Sequence, residues 1–252
     1  MRTFVMGDIH GAHKAMLQCF ERSGFDSSAD RLIQLGDVVD GQPEVFECVE
    51  TLLSIDMLIA IRGNHDVWFA DFIETDLHPA YFSNGGISTA ISYMAKANLG
   101  KRNYLSTGYG YKTALTKYHI PKSHRDFFTK EQRTYFIDNE NRCFVHGGFD
   151  RSQPFIGQKE EIYYWNRSLW EGAIEHAALM KEGGTKEAYL IKEPFSKIFI
   201  GHTSTNQLGT DQPVFLDKII NLDTGAGHRG RLTIMDVETK EYWQSDLVSD
   251  LY

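Results

Sequence analysis

The chain is 252 residues long, 13% of them aromatic, and carries a formal net charge of −8. No Pro/Ser-rich linker, repeat or low-complexity stretch divides it, so it reads as one large α/β domain with ample material for a core. The acidic balance argues against non-specific binding to nucleic acid or an anionic membrane, although bound cations would reverse the potential locally for an anionic substrate.

Residues 3–6 form a short apolar run closed by Gly7, the pattern of a buried strand. Residues 12–20 then set Ala15, Met16, Cys19 and Phe20 on one helical face. The rhythm repeats with a strand at 31–35 and a helix at 43–53 that carries Pro43 near its first turn. A third strand at 57–61 runs up to Gly63. This βαβαβ order predicts parallel pairing, with functional loops at the carboxyl ends of the strands.

From 67 to about 133 the pattern changes to helices and loops, broken at Gly85-Gly86 and at Gly108-Tyr109-Gly110. It reads as an insert that flanks or roofs the site within the same domain, and Gly85-Gly86 as a loop before a helix at 87–97. Asn141 and its neighbours turn a hairpin into 143–146, and 197–200 is another buried strand. Strands at 213–216, 219–222, 231–237 and 241–244 follow, with 238–240 as a turn. Parallel units first and antiparallel hairpins later predict two mixed β-sheets packed as a sandwich with helices outside.

Cys19, Cys48 and Cys143 lie far apart in apolar stretches, without metal-type spacing and in odd number. They read as core thiols in a reducing compartment. No apolar run approaches membrane-spanning length, and the first strand begins almost at Met1, which leaves no room for a signal peptide. The expected location is the cytoplasm.

Five motifs carry the chemistry: Gly7-Asp8-Ile9-His10-Gly11, Gly36-Asp37-Val38-Val39-Asp40, Gly63-Asn64-His65-Asp66, His146-Gly147-Gly148 and Gly201-His202-Thr203. Each places Asp, Asn or His beside glycine, and most follow a strand-like run. Any one could be an ordinary cap or turn; six such positions with flanking glycines make a different pattern. Hard oxygen and borderline nitrogen donors without a thiolate suit a pair of divalent metals handling phosphate. No P-loop or dinucleotide fingerprint competes, and no Gly-x-Ser-x-Gly elbow supports a serine hydrolase.

The motif set resembles the calcineurin-like metallophosphoesterase superfamily, and within it the bacterial branch of the PPP-type phosphatases. That branch spans protein phosphatases and diadenosine tetraphosphatases. Gly85-Gly86 to Ser92-Tyr93, Ile120-Pro121 to His124, Tyr164-Trp165-Asn166-Arg167 and Asp223-Thr224-Gly225 add to the likeness, which covers nearly the whole chain. The resemblance implies one metal held by Asp8, His10 and Asp37 and another by Asp37, Asn64, His146 and His202, with Asp37 bridging. It implies a hydroxide between the ions attacking phosphorus in line. His65 would then be the general acid that protonates the leaving oxygen, oriented by Asp40. Manganese is the expected ion, with iron or zinc suiting the same donors.

One departure stands out. The family usually continues Asp-Arg-Gly after the second motif, its arginine gripping phosphate, whereas Asp40 here is followed by Gly41-Gln42. Arg62 and Arg167 are the candidate replacements, and His228 a candidate substrate contact. Restoring the clamp through Gly41→Arg is expected to lower KM for small phosphomonoesters. Gly201-His202-Thr203-Ser204 also lacks the Gly-His-x-His ending of many phosphodiesterases. The expected activity is therefore hydrolysis of phosphomonoesters, phosphorylated small molecules or phosphoproteins. A dinucleoside polyphosphate hydrolase is the alternative, the insert and the loop around Gly183-Gly184 setting the choice. A non-catalytic scaffold is a further one, disfavoured by the intact ligand positions.

Overall fold

The computed structural model describes residues 1–78, 84–100, 104–107, 110–181 and 191–252. Gly108, Tyr109 and the Gly183-Gly184 loop lie outside these described residues. The first βαβαβ run forms as the periodicity predicts: β1 (Thr3–Met6), α1 (His13–Ser23), β2 (Arg31–Gln34), α2 (Val45–Leu53) and β3 (Met57–Ala60). Helix α1 buries Ala15, Met16 and Cys19 and stops at Gly24, whose φ of 61° ends it in the left-handed conformation. Helix α2 starts two residues after Pro43 and buries Val45, Cys48, Val49 and Leu52.

The insert departs from expectation at its start and in its middle. Helix α3 (Asn64–Thr75) begins inside the third motif, because Gly63 and Asp66 form its N-terminal cap. Helix α4 (Gly86–Lys96) follows Gly85, as read from the sequence. A hairpin, β4 (Tyr104–Thr107) with β5 (Gly110–Thr113), stands where only helices and loops were expected. Among its described side chains Leu105 is exposed and Tyr111 packs against the core, too short a pattern to read as a strand alternation. The short α5 (Lys122–Asp126) closes the region.

The remaining strands and α-helices are β6 (Tyr135–Ile137), β7 (Arg142–Val145), α6 (Glu160–Trp165), α7 (Ser168–Lys181), β8 (Lys197–Ile200), β9 (Val214–Leu216), β10 (Ile219–Asn221), β11 (Thr233–Asp236), β12 (Tyr242–Gln244) and α8 (Val248–Leu251). One sheet has the order β12-β11-β1-β2-β3, the other β6-β7-β8-β10-β9. Both are mixed: β1, β2 and β3 pair in parallel, as do β7, β8 and β10, while β11, β12, β6 and β9 pair antiparallel.

Side-chain alternation along the strands builds the layers. Val5, Ile33, Phe144, Phe199, Ile220 and Met235 meet between the sheets. There the Phe144 and Phe199 rings stack 4.8 Å apart and nearly parallel. Their neighbours in sequence face outward. Phe4, Met6 and Leu32 pack beneath α1, α2 and the insert, sharing one core with Phe69, Tyr93 and Phe128. Cys143, Val145, Ile198 and Ile200 pack beneath Tyr163, Leu169 and Trp170 of α6 and α7. The result is helix, sheet, sheet, helix, with parallel strands from both sheets ending at one rim. All three cysteines are free and buried. Among the described residues no helix is long and apolar enough to cross a membrane.

Candidate metal centre and active site

The motif loops all leave the carboxyl ends of parallel strands. Asp8 and His10 follow β1, Asp37 and Asp40 follow β2, and Asn64 and His65 open α3 after β3; His146 follows β7 and His202 follows β8. Tight exits impose unusual backbone angles: His10, Asp37, Asp40 and His202 have φ between 49° and 67°. Such conformations cost free energy and persist where surrounding contacts enforce them. Close approach is also enforced at Gly201, where a Cβ would stand 2.0 Å from Asp8 Oδ1.

Two groups of donors share Asp37. Asp8, His10 and Asp37 bring ligand atoms within 4.8 Å of one another, and so do Asp37, His146 and His202. Asn64 joins the second group, its Oδ1 lying 3.1 Å from His146 Nε2. The far nitrogens of two histidines are already committed. His10 Nδ1 donates to the Val39 carbonyl at 2.9 Å, and His146 Nδ1 to the Leu35 carbonyl at 2.8 Å. Each Nε2 therefore turns toward the Asp37 carboxylate, at 3.7 and 3.3 Å. Fixing one nitrogen on a backbone acceptor to free the other is how histidine metal ligands are oriented.

Charge and satisfaction point the same way. Asp8 Oδ1 and His202 Nε2 are buried without a hydrogen-bond partner, a situation that costs about 1–3 kcal/mol per group unless something else satisfies it. Burial, reinforced by His146 and Arg167, lowers the His202 pKa to about 2, so this imidazole stays neutral as a ligand must. Burial and the nearby Asp223 carboxylate push Asp8 well up. Burial alone would raise Asp37, but His146 and His65 outweigh it and hold its carboxyl well below the usual range. Convergent oxygens, imidazole nitrogens with one side already committed and orphaned buried acceptors fit divalent cations.

His65 differs from the other histidines. Its Nδ1 meets a carboxylate, Asp40 Oδ2, at 2.7 Å. Burial works against the charged ring, yet Asp37 and Asp40 raise its pKa to about 9. Its backbone N–H donates to Asp37 Oδ1 at 2.9 Å, which ties the general-acid candidate to the shared carboxylate.

Residues 1–206 match the family model described as calcineurin-like phosphoesterase. The chain belongs to that family. It is 34% identical over 68 residues to the symmetrical bis(5'-nucleosyl)-tetraphosphatase of Nitrosomonas europaea, a match covering 27% of this chain and 25% of that protein. It is 31% identical over 83 residues to serine/threonine-protein phosphatase 1 of Salmonella typhimurium, covering 33% and 38%. The matched segments thus span well under half the length of these relatives. The fold is similar to that of a solved candidate diadenosine tetraphosphatase, with a TM-score of 0.63, 16% identity and coverage of 96% of this chain and 92% of that one. It is also similar to a cold-active protein-tyrosine phosphatase from a psychrophilic Shewanella, with a TM-score of 0.54, 14% identity and coverage of 97% and 80%.

The phosphoesterase-family site opens into a cavity of about 340 Å³ lined by His10, Asp37, Asn64, His65, His202 and Arg167, among others. Asp8 and His146 sit behind it, buried. Arg167 Nη1 donates to Thr203 Oγ1 at 2.7 Å and to the His202 carbonyl at 3.2 Å, which holds its guanidinium at the wall. His228 also lines the cavity. Arg62 does not. Its backbone N–H is bonded to the Arg133 carbonyl, its Nη2 reaches the Phe128 carbonyl at 3.4 Å, and its Nε is buried without a partner. The bridge between residues 61 and 133 therefore draws this arginine toward the insert.

Gly41 needs a second correction. Its φ is 92°, and a Cβ there would lie 3.1 Å from His10 Cβ. Arginine at this position would be strained and would disturb a candidate ligand, so Gly41→Arg is not a clean restoration of the clamp.

Three residues absent from the sequence-predicted site prove central. Asp66 accepts the backbone N–H groups of Asp37, Val38 and Gly63 and the side-chain amide of Gln132, so one buried carboxylate joins the β2 loop to the start of α3. Thr89 donates its hydroxyl to Asp40 Oδ1 at 2.6 Å and accepts the Asp40 backbone N–H at 2.9 Å. Asp223 is buried at the cavity wall, its carboxyl raised by burial. Asp66 and Asp223 stood inside quoted motifs, so the signal was present. Thr89 had only its place in the Gly85-Gly86 to Ser92-Tyr93 segment.

Proposed function

We propose that this chain is a metal-dependent phosphohydrolase that cleaves phosphomonoesters, including phosphoproteins. The observation that supports it most is the joint placement of two donor groups sharing Asp37 beside the His65–Asp40 pair, 2.7 Å apart. In this reading Asp8, His10 and Asp37 hold one divalent ion and Asp37, Asn64, His146 and His202 the other, with manganese the expected metal. Bound ions of this kind neutralise phosphate charge and activate water for in-line attack.

The chain's own residues do the rest. Asp40 keeps the proton on His65 Nδ1 and favours the doubly protonated ring, so His65 Nε2 can deliver a proton to the leaving oxygen. Thr89 holds Asp40 from the insert, and Asp66 holds the Asp37 loop, so both pairs are set before substrate arrives. Arg167, at the wall beside His202, supplies a planar guanidinium for phosphate oxygens. His228 at the mouth is a lesser substrate contact. Residues 1–252 are read as one domain roofed by the insert at 67–133, a reading supported by their shared core. Three buried thiols suit a cytoplasmic setting.

The test is hydrolysis by chelated protein reloaded with Mn²⁺, comparing p-nitrophenyl phosphate with its bis-ester. Metal-dependent turnover that favours the monoester is the expected result. Preference for the diester, or no turnover with both sites filled, would contradict it. Dinucleoside tetraphosphates are the second substrate class, favoured by the likeness to the Nitrosomonas tetraphosphatase. Faster cleavage of a dinucleoside tetraphosphate than of any monoester would move the assignment there.

A further inference from the structure

Asp8 and Asp223 are alike in one respect: each uses one carboxylate oxygen and leaves the other bare. Asp8 Oδ2 accepts the His202 N–H at 3.0 Å, and its Oδ1 is buried without a partner. Asp223 follows β10 and is only 6% exposed. Its Oδ1 accepts the N–H of Gly225, in its own turn, at 3.1 Å, and its Oδ2 has no hydrogen-bond partner among the described residues. Asp66, by contrast, accepts four N–H groups. Asp223 nevertheless lines the cavity with His10 and Asp37. A carboxylate oxygen taken out of water and left unmatched costs free energy unless a ligand meets it. Packing sets this residue against the first donor group. A Cβ on Gly7 would stand 2.1 Å from the Leu222 carbonyl oxygen and 3.4 Å from the Asp223 nitrogen, so the exits of β1 and β10 touch. A Cβ on Gly227 would stand 2.5 Å from His10 Cδ2, so the turn after Asp223 lies on the His10 ring. After burial itself, the Asp223 carboxylate is the largest influence raising the Asp8 pKa, ahead of Asp37.

We infer that Asp223 is a further oxygen donor to the ion proposed at Asp8, His10 and Asp37, facing it across one water and strengthening its hold on Mn²⁺. This rests on the metal assignment above. In that assignment three residues face the first ion and four the second. A hard ion such as Mn²⁺ takes about six oxygen or nitrogen ligands, so the first position has the more room. Asp223 is not among the atoms that converge within 4.8 Å, which is why a water is placed between. Its free oxygen would accept that water's hydrogen and orient it, as carboxylates behind metal ligands do. The ion in turn would offset the repulsion between Asp223 and Asp8, which the metal-free fold bears unrelieved.

The test is calorimetric titration of chelated wild type and Asp223→Asn with MnCl₂, with thermal unfolding of both proteins before and after loading. The wild type should take up two Mn²⁺. In Asp223→Asn one of the two should bind about 10- to 100-fold more weakly, the usual worth of such a carboxylate, and the other as before. The Mn²⁺ concentration for half-maximal turnover should rise by the same factor. Above neutral pH, the metal-free variant should unfold at a Tm no lower than that of metal-free wild type, because a buried repulsion is gone. Its gain in Tm on loading should be smaller. Unchanged affinity at both positions would overturn the inference, and with a lowered metal-free Tm it would mark a structural aspartate. An equal loss at both positions would overturn it in favour of a general charge effect. Should Asp223→Asn not fold, Asp223→Ser, whose hydroxyl can still accept the Gly225 N–H, takes its place in the same titration. Fewer than two ions in the wild type would remove the metal assignment itself. Two ions in the wild type and an indifferent variant would remove only the role of Asp223.

Discussion

The donor cluster and the candidate general-acid pair fix the same side chain through different partners. In the cluster, His10 and His146 give their Nδ1 protons to backbone carbonyls, and His202 is kept neutral by burial. In the pair, His65 gives its Nδ1 proton to the carboxylate of Asp40, and its pKa rises to about 9. Burial disfavours charge on His146, yet Asp37 and the Leu35 carbonyl raise its pKa as well, so the carbonyl fixes the tautomer and a bound cation would be what keeps the second proton off. In the proposed reading, imidazoles that would face metal thus stand within a few ångströms of one that would donate a proton.

The strongest way to break this comparison is to remove what the two donor groups share. Asp37→Asn should abolish turnover and lower metal content at both positions, measured by elemental analysis of the purified protein. Full metal loading with wild-type turnover would refute the shared-carboxylate assignment. His65→Asn should keep its metal and lose about 10²- to 10⁴-fold in kcat, the usual worth of a positioned proton donor. The loss should be greatest for poor leaving groups, and an equal loss with an activated aryl phosphate would count against the acid role.

Thr89→Val probes the pair from the insert's side. Removing a hydroxyl that both donates to and accepts from Asp40 should destabilise the fold by about 1–3 kcal/mol. It should also lower kcat while leaving metal content intact, and unaltered kcat would detach the insert from catalysis. A further effect, on stability alone, concerns metal-free protein. A histidine raised from about 6.5 to about 9 stabilises the fold fully below pH 6.5 and loses that contribution as pH rises through 9, by at most about 3 kcal/mol. Thermal unfolding of the chelated protein should therefore show Tm falling over that interval, and His65→Gln should flatten the fall.

Much of this arrangement is legible in the sequence. The parallel strands announced themselves because burial on both faces leaves short unbroken apolar runs closed by glycine, and the ligand motifs follow those runs directly. The two mixed sheets followed from the order of the units. The insert was read less well. Its hairpin sets only Tyr111 against the core, too little to write an alternation, and α3 begins three residues early because Asp66, counted as part of a motif, also caps the helix. Arg62 shows the limit of motif transfer. Its place beside Gly63-Asn64-His65 pointed to phosphate, but the bridge to Arg133 is a long-range contact that no local pattern records. Thr89 was invisible for the same reason, since its partner Asp40 lies 49 residues away.

The measurement that bears most directly on the account is metal content and turnover of p-nitrophenyl phosphate taken together in Mn²⁺-reloaded wild type and His65→Asn. Two ions per chain are expected in both proteins, with turnover in the wild type and its loss in the variant. Turnover by the fully chelated wild type, or a variant that loses its metal along with its activity, would contradict the division of labour between the donor cluster and His65.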